Sequence, residues 1–457
     1  MEKRLPGIVV NSYGLANFSL SLMLNIGTMY YFMFLTDTAM MSAAHAGLIV
    51  GVGGAIDTLS IFVSGSIIQK TQMRWGQFRS WFLFIPITTC LFFTLSFTNL
   101  PLGYNLKIVY LTVAYIIGHV SLNFAFNSHI GFISVLTTDI QERLRLSVRN
   151  IQFGMASTIV FSQVIVRLLE HLKIVQDSTR AYFYTVALLS AIQIFGYWNL
   201  FYQTREYEKY DPTKKLESSN DISIWEMVKQ VLGNSQLLLL MSADVMAQLG
   251  LFSIMGMAIY FLKYIANNEL WNIYHTLATG VLSFITALYA PVVINFLGKK
   301  KTYLIATAWG VMSYFLLRGY GALSVYHFTG FICLGSLLLG TSGPMRQAMY
   351  MDAAEYGYYK TGKDASAFIM SMFTVPIKAA IALQGVVTGF GLEYIGYVAN
   401  TEMTSEMAGK LMDIICYIPA GCGIIAMLIM SFYKLNDKNM VKIMESNNLK
   451  KAAVNVA

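Results

Sequence analysis

Again and again this chain returns to apolar runs that are too long for an ordinary buried helix. About twelve of them reach roughly 20 residues or more, the length an α-helix needs to cross a hydrocarbon core of about 30 Å. They fall at 8–36, 43–69, 80–100, 106–135, 147–172, 181–203, 236–265, 271–297, 302–321, 325–350, 364–393 and 408–434. Inside lipid every backbone N–H and C=O must find its partner within the protein, so runs of this length specify helices. The composition agrees. Charged residues make up 12% of the chain and the mean hydropathy is +0.55, whereas soluble domains carry about 25% charged residues. The expected fold is an all-α integral membrane protein with twelve transmembrane helices.

Lysine and arginine set the orientation. With the N-terminus inside, the segments on that side collect about 24 of the 32 Lys and Arg and the opposite face about six, the asymmetry that marks cytoplasmic loops. Both termini are therefore expected in the cytoplasm, in a multi-pass protein of the cell membrane. The net charge of +8 is accounted for by topology and asks for no nucleic-acid partner; the lipid bilayer is the partner it implies. The first apolar run is too long for a cleaved signal peptide. Cys90, Cys333, Cys416 and Cys422 lie scattered in apolar runs, without metal spacing, and read as small buried hydrophobes.

The longest polar stretch, 204–235, divides the runs six and six. That is the plan of the major facilitator architecture, with a substrate site at the midplane between two halves. The expected organisation is an N-terminal six-helix bundle over 1–203, a cytoplasmic central loop over 204–235, a C-terminal six-helix bundle over 236–436 and a cytoplasmic tail over 437–457. Within the loop, Ile224, Trp225, Val228 and Leu232 share one helical face, which suits a helix lying on the membrane surface. Glycines 47, 51 and 54 have the small-residue spacing that lets membrane helices approach closely. "GVGG" at 51–54 follows no strand, and "GKKKT" at 298–302 has Val293 where a phosphate loop needs glycine. With no HExxH, no GxSxG and no Cys/His cluster, no enzyme, cofactor or metal is expected.

Strongly polar residues at membrane depth are costly and by default functional. Asn17, Ser21 and Asn25 recur every four residues in the first run, and His119, Asn123 and Asn127 do so in the fourth, so each set lines one helix face. Two readings stand: lining of a central cavity, or hydrogen bonding between helices. Asp57 and Lys378 sit near the middle of the second and eleventh runs. Opposite charges at depth are expected to pair, or to approach in one conformational state, and such a carboxylate can carry a coupling proton. Pro376 leaves the carbonyl of Met372 without its helical donor. Arg149 and Gln152, one turn apart at the start of the fifth run, suit a ligand oxygen, though Arg149 can equally reach lipid phosphates. Asp244 and Gln248 share a face in the seventh run and are weaker candidates.

"MRWGQFRSW" at 73–81 adds a short basic, aromatic, tightly turning segment between two apolar runs. "RWGQFRSW" resembles the turn between the second and third helices of the glycoside–pentoside–hexuronide:cation symporter family. "YG" at 13–14, "TD" at 36–37, "TTDIQERLRLSVRN" at 137–150, "YFLKY" at 260–264, "GKKK" at 298–301, "DAAEYGYYKTGK" at 352–363, "SMFTVPIKAAIALQG" at 371–385 and "GY" at 396–397 follow in the family's order, over nearly the whole chain. The resemblance implies transport by alternating access, usually of sugars with Na+ or H+. By position it gives Asp57 a part in cation coupling and places Arg149, Thr374 and Lys378 near the sugar and cation pockets.

Departures shape the expected chemistry. The family's second acidic residue of the second helix is Ile61, its first-helix Lys–Asp pair is Leu20 and Ser21, and its fourth-helix Asp and Trp are Phe126 and Ile130. A tenth-helix Trp is Gly343, and the turn's usual upstream Asp is Gln69, which implies a weaker cytoplasmic latch. One carboxylate facing a lysine is a poor Na+ site, so the expected activity is proton-coupled transport of a small solute, a glycoside or hexuronide-type sugar. The alternative is a carrier for an amphipathic, lipid-like or other non-sugar solute, possible without coupling. A sensor that kept the fold and lost transport is a third reading.

Overall fold

The computed structural model describes residues 4–137, 139–208, 224–268, 270–362, 366–436 and 439–447. The stretch 209–223, Lys363 and the tail from 448 onward lie outside them, as do the side chains of Gln69, Ile224, Trp225 and Val228. The described residues form helices α1 (Gly7–Met33), α2 (Ala43–Lys70), α3 (Trp81–Ser96), α4 (Tyr104–Gly131), the short α5 (Ile133–Leu136), α6 (Ile140–Val160), α7 (Val166–Val175) and α8 (Ser178–Gln203). After the central stretch come α9 (Ile224–Gly233), α10 (Ser235–Tyr260), α11 (Trp271–Leu297), α12 (Lys299–Tyr320), α13 (Val325–Leu339), α14 (Ser342–Thr361), α15 (Ser366–Ser371), α16 (Val375–Tyr394) and α17 (Ser405–Ser431). Among the described residues there is no strand, in agreement with the all-α expectation.

Nine helical spans among the described residues are long and apolar enough to cross a membrane, or ten if the bent α11 counts as one. Two expected crossings fall outside that set. α3 is apolar but has 16 residues, and α12 opens on three lysines and carries Arg318 in its last turn. Outward-facing apolar side chains such as Leu59 (66% exposed) and Phe296 (87%) have lipid as their natural neighbour.

Several spans begin on a side-chain cap. Ser42, Asp177, Asn234, Ser324 and Thr404 accept from the backbone N–H three residues on, opening α2, α8, α10, α13 and α17. Such caps satisfy one of the unpaired donors of the first turn. Breaks have equally local causes. α11 bends by 50° between Thr286 and Leu288, just where Pro291 leaves the carbonyl of Ala287 without a donor. The tenth run breaks at Gly340–Thr341 between α13 and α14. A Cβ on Gly340 would lie 1.8 Å from Oγ1 of Thr286, so the break packs against the bend. The eleventh run passes through a 3₁₀ turn at Met372–Thr374, as the missing N–H of Pro376 leads one to expect.

The chain forms two compact units. The first comprises Met1–Ser219 with Asn272–Leu277 and Gly385–Glu402, the second Asn220–Trp271, Ala278–Gln384 and Met403–Ala457. The first holds an aromatic core in which Phe34, Phe97, Tyr31 and Tyr182 meet edge-on or stacked. In it α2 also crosses α16. A Cβ on Gly389 would lie 2.6 Å from Cα of Gly47, and one on Gly385 would lie 2.3 Å from a Val50 methyl. Gly47 thus works as its small-residue spacing predicts. The second unit packs Leu237, Leu240, Tyr303, Met345, Met349 and Met430 into its main core. On α9, Val231 is buried there while Leu232 is 61% exposed.

Candidate functional site

In the first unit the two polar stripes find separate partners. Asn123 is 2% exposed and turns its amide to α2, with Nδ2 2.8 Å from the Asp57 carbonyl, 2.7 Å from Asp57 Oδ1 and 2.6 Å from Ser60 Oγ. Asn127, one turn on, donates to Ser64 Oγ at 2.8 Å and the Ile61 carbonyl at 3.1 Å. Hydrogen bonding between helices, the second reading of this stripe, describes what both amide nitrogens do. His119 bonds the Tyr115 carbonyl at 3.0 Å and stacks on the Tyr115 ring. Asp57 is thereby a carboxylate 5% exposed whose Oδ1 accepts from a neutral amide.

The first-helix stripe faces α6. Asn17 donates to the Asn150 carbonyl at 2.9 Å, and a Cβ on Gly154 would lie 3.1 Å from Asn17 Nδ2 and 3.8 Å from Ser21 Oγ. Asn25 Nδ2 is buried with no hydrogen-bond partner among the described residues, a costly arrangement unless something else supplies the acceptor. Arg149 and Gln152 come together, the guanidinium donating to Gln152 Oε1 at 3.2 Å, while the arginine stem passes Gly14 of α1, whose Cβ would lie 3.1 Å from Arg149 Cγ. His129, which no sequence motif singled out, is buried here. It stacks on Tyr13 at 4.0 Å and bonds Asn150 Oδ1 at 3.0 Å, joining α1, α4 and α6.

Thr374 and Lys378 lie in the second unit, Thr374 closing the 3₁₀ turn and Lys378 in the first turn of α16. Asp57 belongs to the first unit. Asp244, a weaker candidate, proves fully buried and ion-paired with Arg346 of α14, a residue that no motif singled out. The available signal was simple: Arg346 is the lone arginine within the tenth apolar run.

At the turn between α2 and α3, Gly76 has φ +109, a backbone region that side chains avoid. The Glu208 carboxylate accepts from the consecutive N–H groups of Gln77 (2.9 Å), Phe78 (3.2 Å) and Arg79 (2.8 Å). Arg79 is 7% exposed and donates to the Phe201 carbonyl at 2.8 Å, its guanidinium 4.1 Å from the Phe201 ring. The turn thus has an acidic partner after all, supplied by the residue stretch following α8 and directed at backbone N–H groups. A weaker latch was the expectation drawn from Gln69, whose side chain lies outside the described residues; Glu208 brings a carboxylate to the backbone of the same turn by another route. Two distant motifs also meet. Tyr397 donates to Asp37 Oδ1 at 2.5 Å, and Asn400 to the Asp37 carbonyl at 2.9 Å.

Comparison with known proteins bears on all of this. Residues 12–437 match the family described as MFS/sugar transport protein. The chain is 24% identical to a putative 2,3-dihydroxypropane-1-sulfonate exporter of Salmonella typhimurium over 462 residues, covering 99% of this chain and 98% of the relative. It is likewise 24% identical to a glucuronide carrier protein homolog of Escherichia coli, with 99% and 98% covered. The crystal structure of the nucleoside transporter NupG superimposes with a TM-score of 0.64 at 13% identity, over 94% of this chain and 100% of that one, and shows the shared fold. A polytopic helical chain with its polar residues held at membrane depth, matched from residue 12 to residue 437, belongs to the MFS/sugar transport protein family of membrane transporters.

Proposed function

We propose that the small solute this transporter moves is a glycoside or hexuronide-type sugar, carried by alternating access and coupled to protons through Asp57. Asp57 carries the reading: a carboxylate at membrane depth, 5% exposed, bonded to an amide that tolerates both its charged and its protonated form. The position one turn on is Ile61, so Asp57 has no second carboxylate beside it on α2. Na+ prefers several oxygen ligands, whereas a proton needs one. Lys378 is the partner proposed for Asp57 in one state of the cycle, its positive charge stabilising the deprotonated form. Asn17, Ser21, Asn25, Asn127, Arg149, Gln152 and Thr374 are proposed to meet the solute's hydroxyls. Asn25 is well suited, since its buried amide nitrogen finds no acceptor among the described residues. Both termini are proposed to face the cytoplasm, in the cell membrane.

The names of the two relatives, a putative 2,3-dihydroxypropane-1-sulfonate exporter and a glucuronide carrier protein homolog, support a hydroxylated, acid-bearing solute. Uptake into proteoliposomes under an imposed pH gradient, across neutral glycosides and uronides, tests the proposal. An inward proton gradient is expected to drive accumulation, and Asp57→Asn to abolish it while leaving exchange down a solute gradient. Gradient-driven uptake that survives Asp57→Asn refutes the coupling assignment.

A further inference from the structure

The second unit holds a charge pair for which transport coupled through Asp57 has no use. Asp244 on α10 is 0% exposed and Arg346 on α14 is 4% exposed. Arg346 Nη2 donates to Asp244 Oδ2 at 2.6 Å, Nε meets Oδ1, and Tyr350 Oη donates to Oδ2 at 3.2 Å. The guanidinium lies 4.6 Å from the Phe373 ring, and Tyr350 meets the same ring edge-on. Phe373 belongs to the 3₁₀ turn that ends at Thr374, four residues before Lys378.

Stability does not explain such a pair. A buried ion pair is commonly no more stabilising than well-packed apolar residues, and in a membrane span the charges call for a use. Arginine is also the side chain built to grip a planar or tetrahedral oxyanion with two N–H groups. Asp244 occupies the Nε–Nη2 edge, and Nη1 makes no hydrogen bond to any described residue. Arg346 stands one turn inside α14, whose first residue, Ser342, follows the break at Gly340–Thr341. A helix start at membrane depth adds positive potential at the same place, the arrangement by which broken helices of transporters meet anionic substrate groups.

We propose that Arg346 binds the acidic group of an anionic solute, a carboxylate or sulfonate, and that Asp244 is the internal anion which that group replaces. The proposal rests on the transport reading above and names the charge of its solute. A proton from water bonds to an Asp244 carboxyl oxygen. The neutral acid then releases Arg346, and the solute's oxyanion takes the freed N–H groups. Loss of that proton restores the Asp244–Arg346 pair and expels the solute. The site carries no net charge in either state, so neither leaves an uncompensated ion in the membrane. The other groups facing Asp244 are Tyr350 and, from α12, Tyr303, whose hydroxyl donates to the neighbouring Ala243 carbonyl at 3.3 Å. α17, packed along α10, has no Asp, Glu, Lys, Arg or His between residues 414 and 431.

The test measures protection of the purified full-length protein from thermal unfolding by three probes: methyl β-D-glucuronide, its neutral analogue methyl β-D-glucoside, and ethanesulfonate. Asp244→Asn is expected to tighten both anions about tenfold or more at neutral pH, with less than about a twofold change for the glucoside. Asp244→Leu/Arg346→Leu removes the pair without stranding a charge and decides the matter should Asp244→Asn not fold. It is expected to weaken both anions about tenfold or more and to spare the glucoside. Glucuronide and glucoside shifting together in both variants, or a double variant that keeps its anion affinity, overturns the proposal. If ethanesulfonate alone binds, and does so through Arg346, this inference stands and the glycoside reading falls. If glucoside and glucuronide bind without regard to the pair, the glycoside reading stands and this inference falls. Protection by none of the probes in any variant overturns both.

Discussion

The clasp of Glu208 on the α2–α3 turn makes a quantitative claim that a double-mutant cycle can break. Glu208→Ala removes a carboxylate that accepts from three successive backbone N–H groups at 2.8 to 3.2 Å. Hydrogen bonds to a charged group contribute about 1.5–3 kcal/mol each, but the turn lies at an aqueous end and water will re-solvate the donors. The net cost is therefore set at about 2–4 kcal/mol, below the simple sum. Gly76→Ala disturbs the same clasp from the other side. Its Cβ would lie 2.4 Å from both Cγ and Cδ of Glu208, and φ +109 adds backbone strain of about 1–3 kcal/mol. With Glu208 shortened to alanine the collision vanishes and only the strain remains. The two substitutions should therefore be less than additive, with a coupling of about 1–2 kcal/mol. Denaturation of the purified wild type, both single variants and the double variant yields that coupling directly. Additive losses would refute the reasoning, because Gly76 and Glu208 would then act independently.

Further outcomes follow from other contacts. Gly389→Leu places a branched side chain where Cα of Gly47 already lies 2.6 Å from the modest Cβ position; the α2–α16 crossing should separate and solute uptake should fall at least about tenfold at unchanged membrane expression, through a backbone shift of the kind overpacking forces. Tyr397→Phe removes the hydroxyl bonded to Asp37 and should cost about 1.5–3 kcal/mol of unfolding free energy, the range for a hydrogen bond to a charged group, whereas Tyr394→Phe, at an exposed ring, should change it little. Asn123→Leu withdraws the amide donor from Asp57 and Ser60; proton-driven uptake should fall by more than for Asn127→Leu, whose amide bonds no carboxylate.

Much of the architecture was legible because bilayer thickness and backbone hydrogen bonding act on single segments. The length of each apolar run and the break near Pro376 depend on neighbours a few residues away. Even Gly47 could be assigned a close helix contact from its spacing. The crossings expected at α3 and α12 stand at the margin of what a membrane helix requires, with 16 residues and a lysine-rich start.

The site divides along the same line. That Asp57, Asn123 and Lys378 lie at membrane depth follows from sequence position, and depth alone makes them costly enough to need a purpose. Which partner relieves the cost is a matter of tertiary structure. Asn123 turns to α2 because residues 57 and 60 stand opposite it, and no periodicity within α4 contains that fact. Arg346 finds Asp244 across 102 residues and Glu208 finds the turn at 77–79 across about 130, pairings that long-range packing alone creates. The sequence by itself determined a polytopic helical transporter and the depth of its polar residues, since lipid judges each segment separately. Only the fold decided which of those residues hold each other, because an ion pair or hydrogen bond exists over a few ångströms and the chain must close that distance from far away.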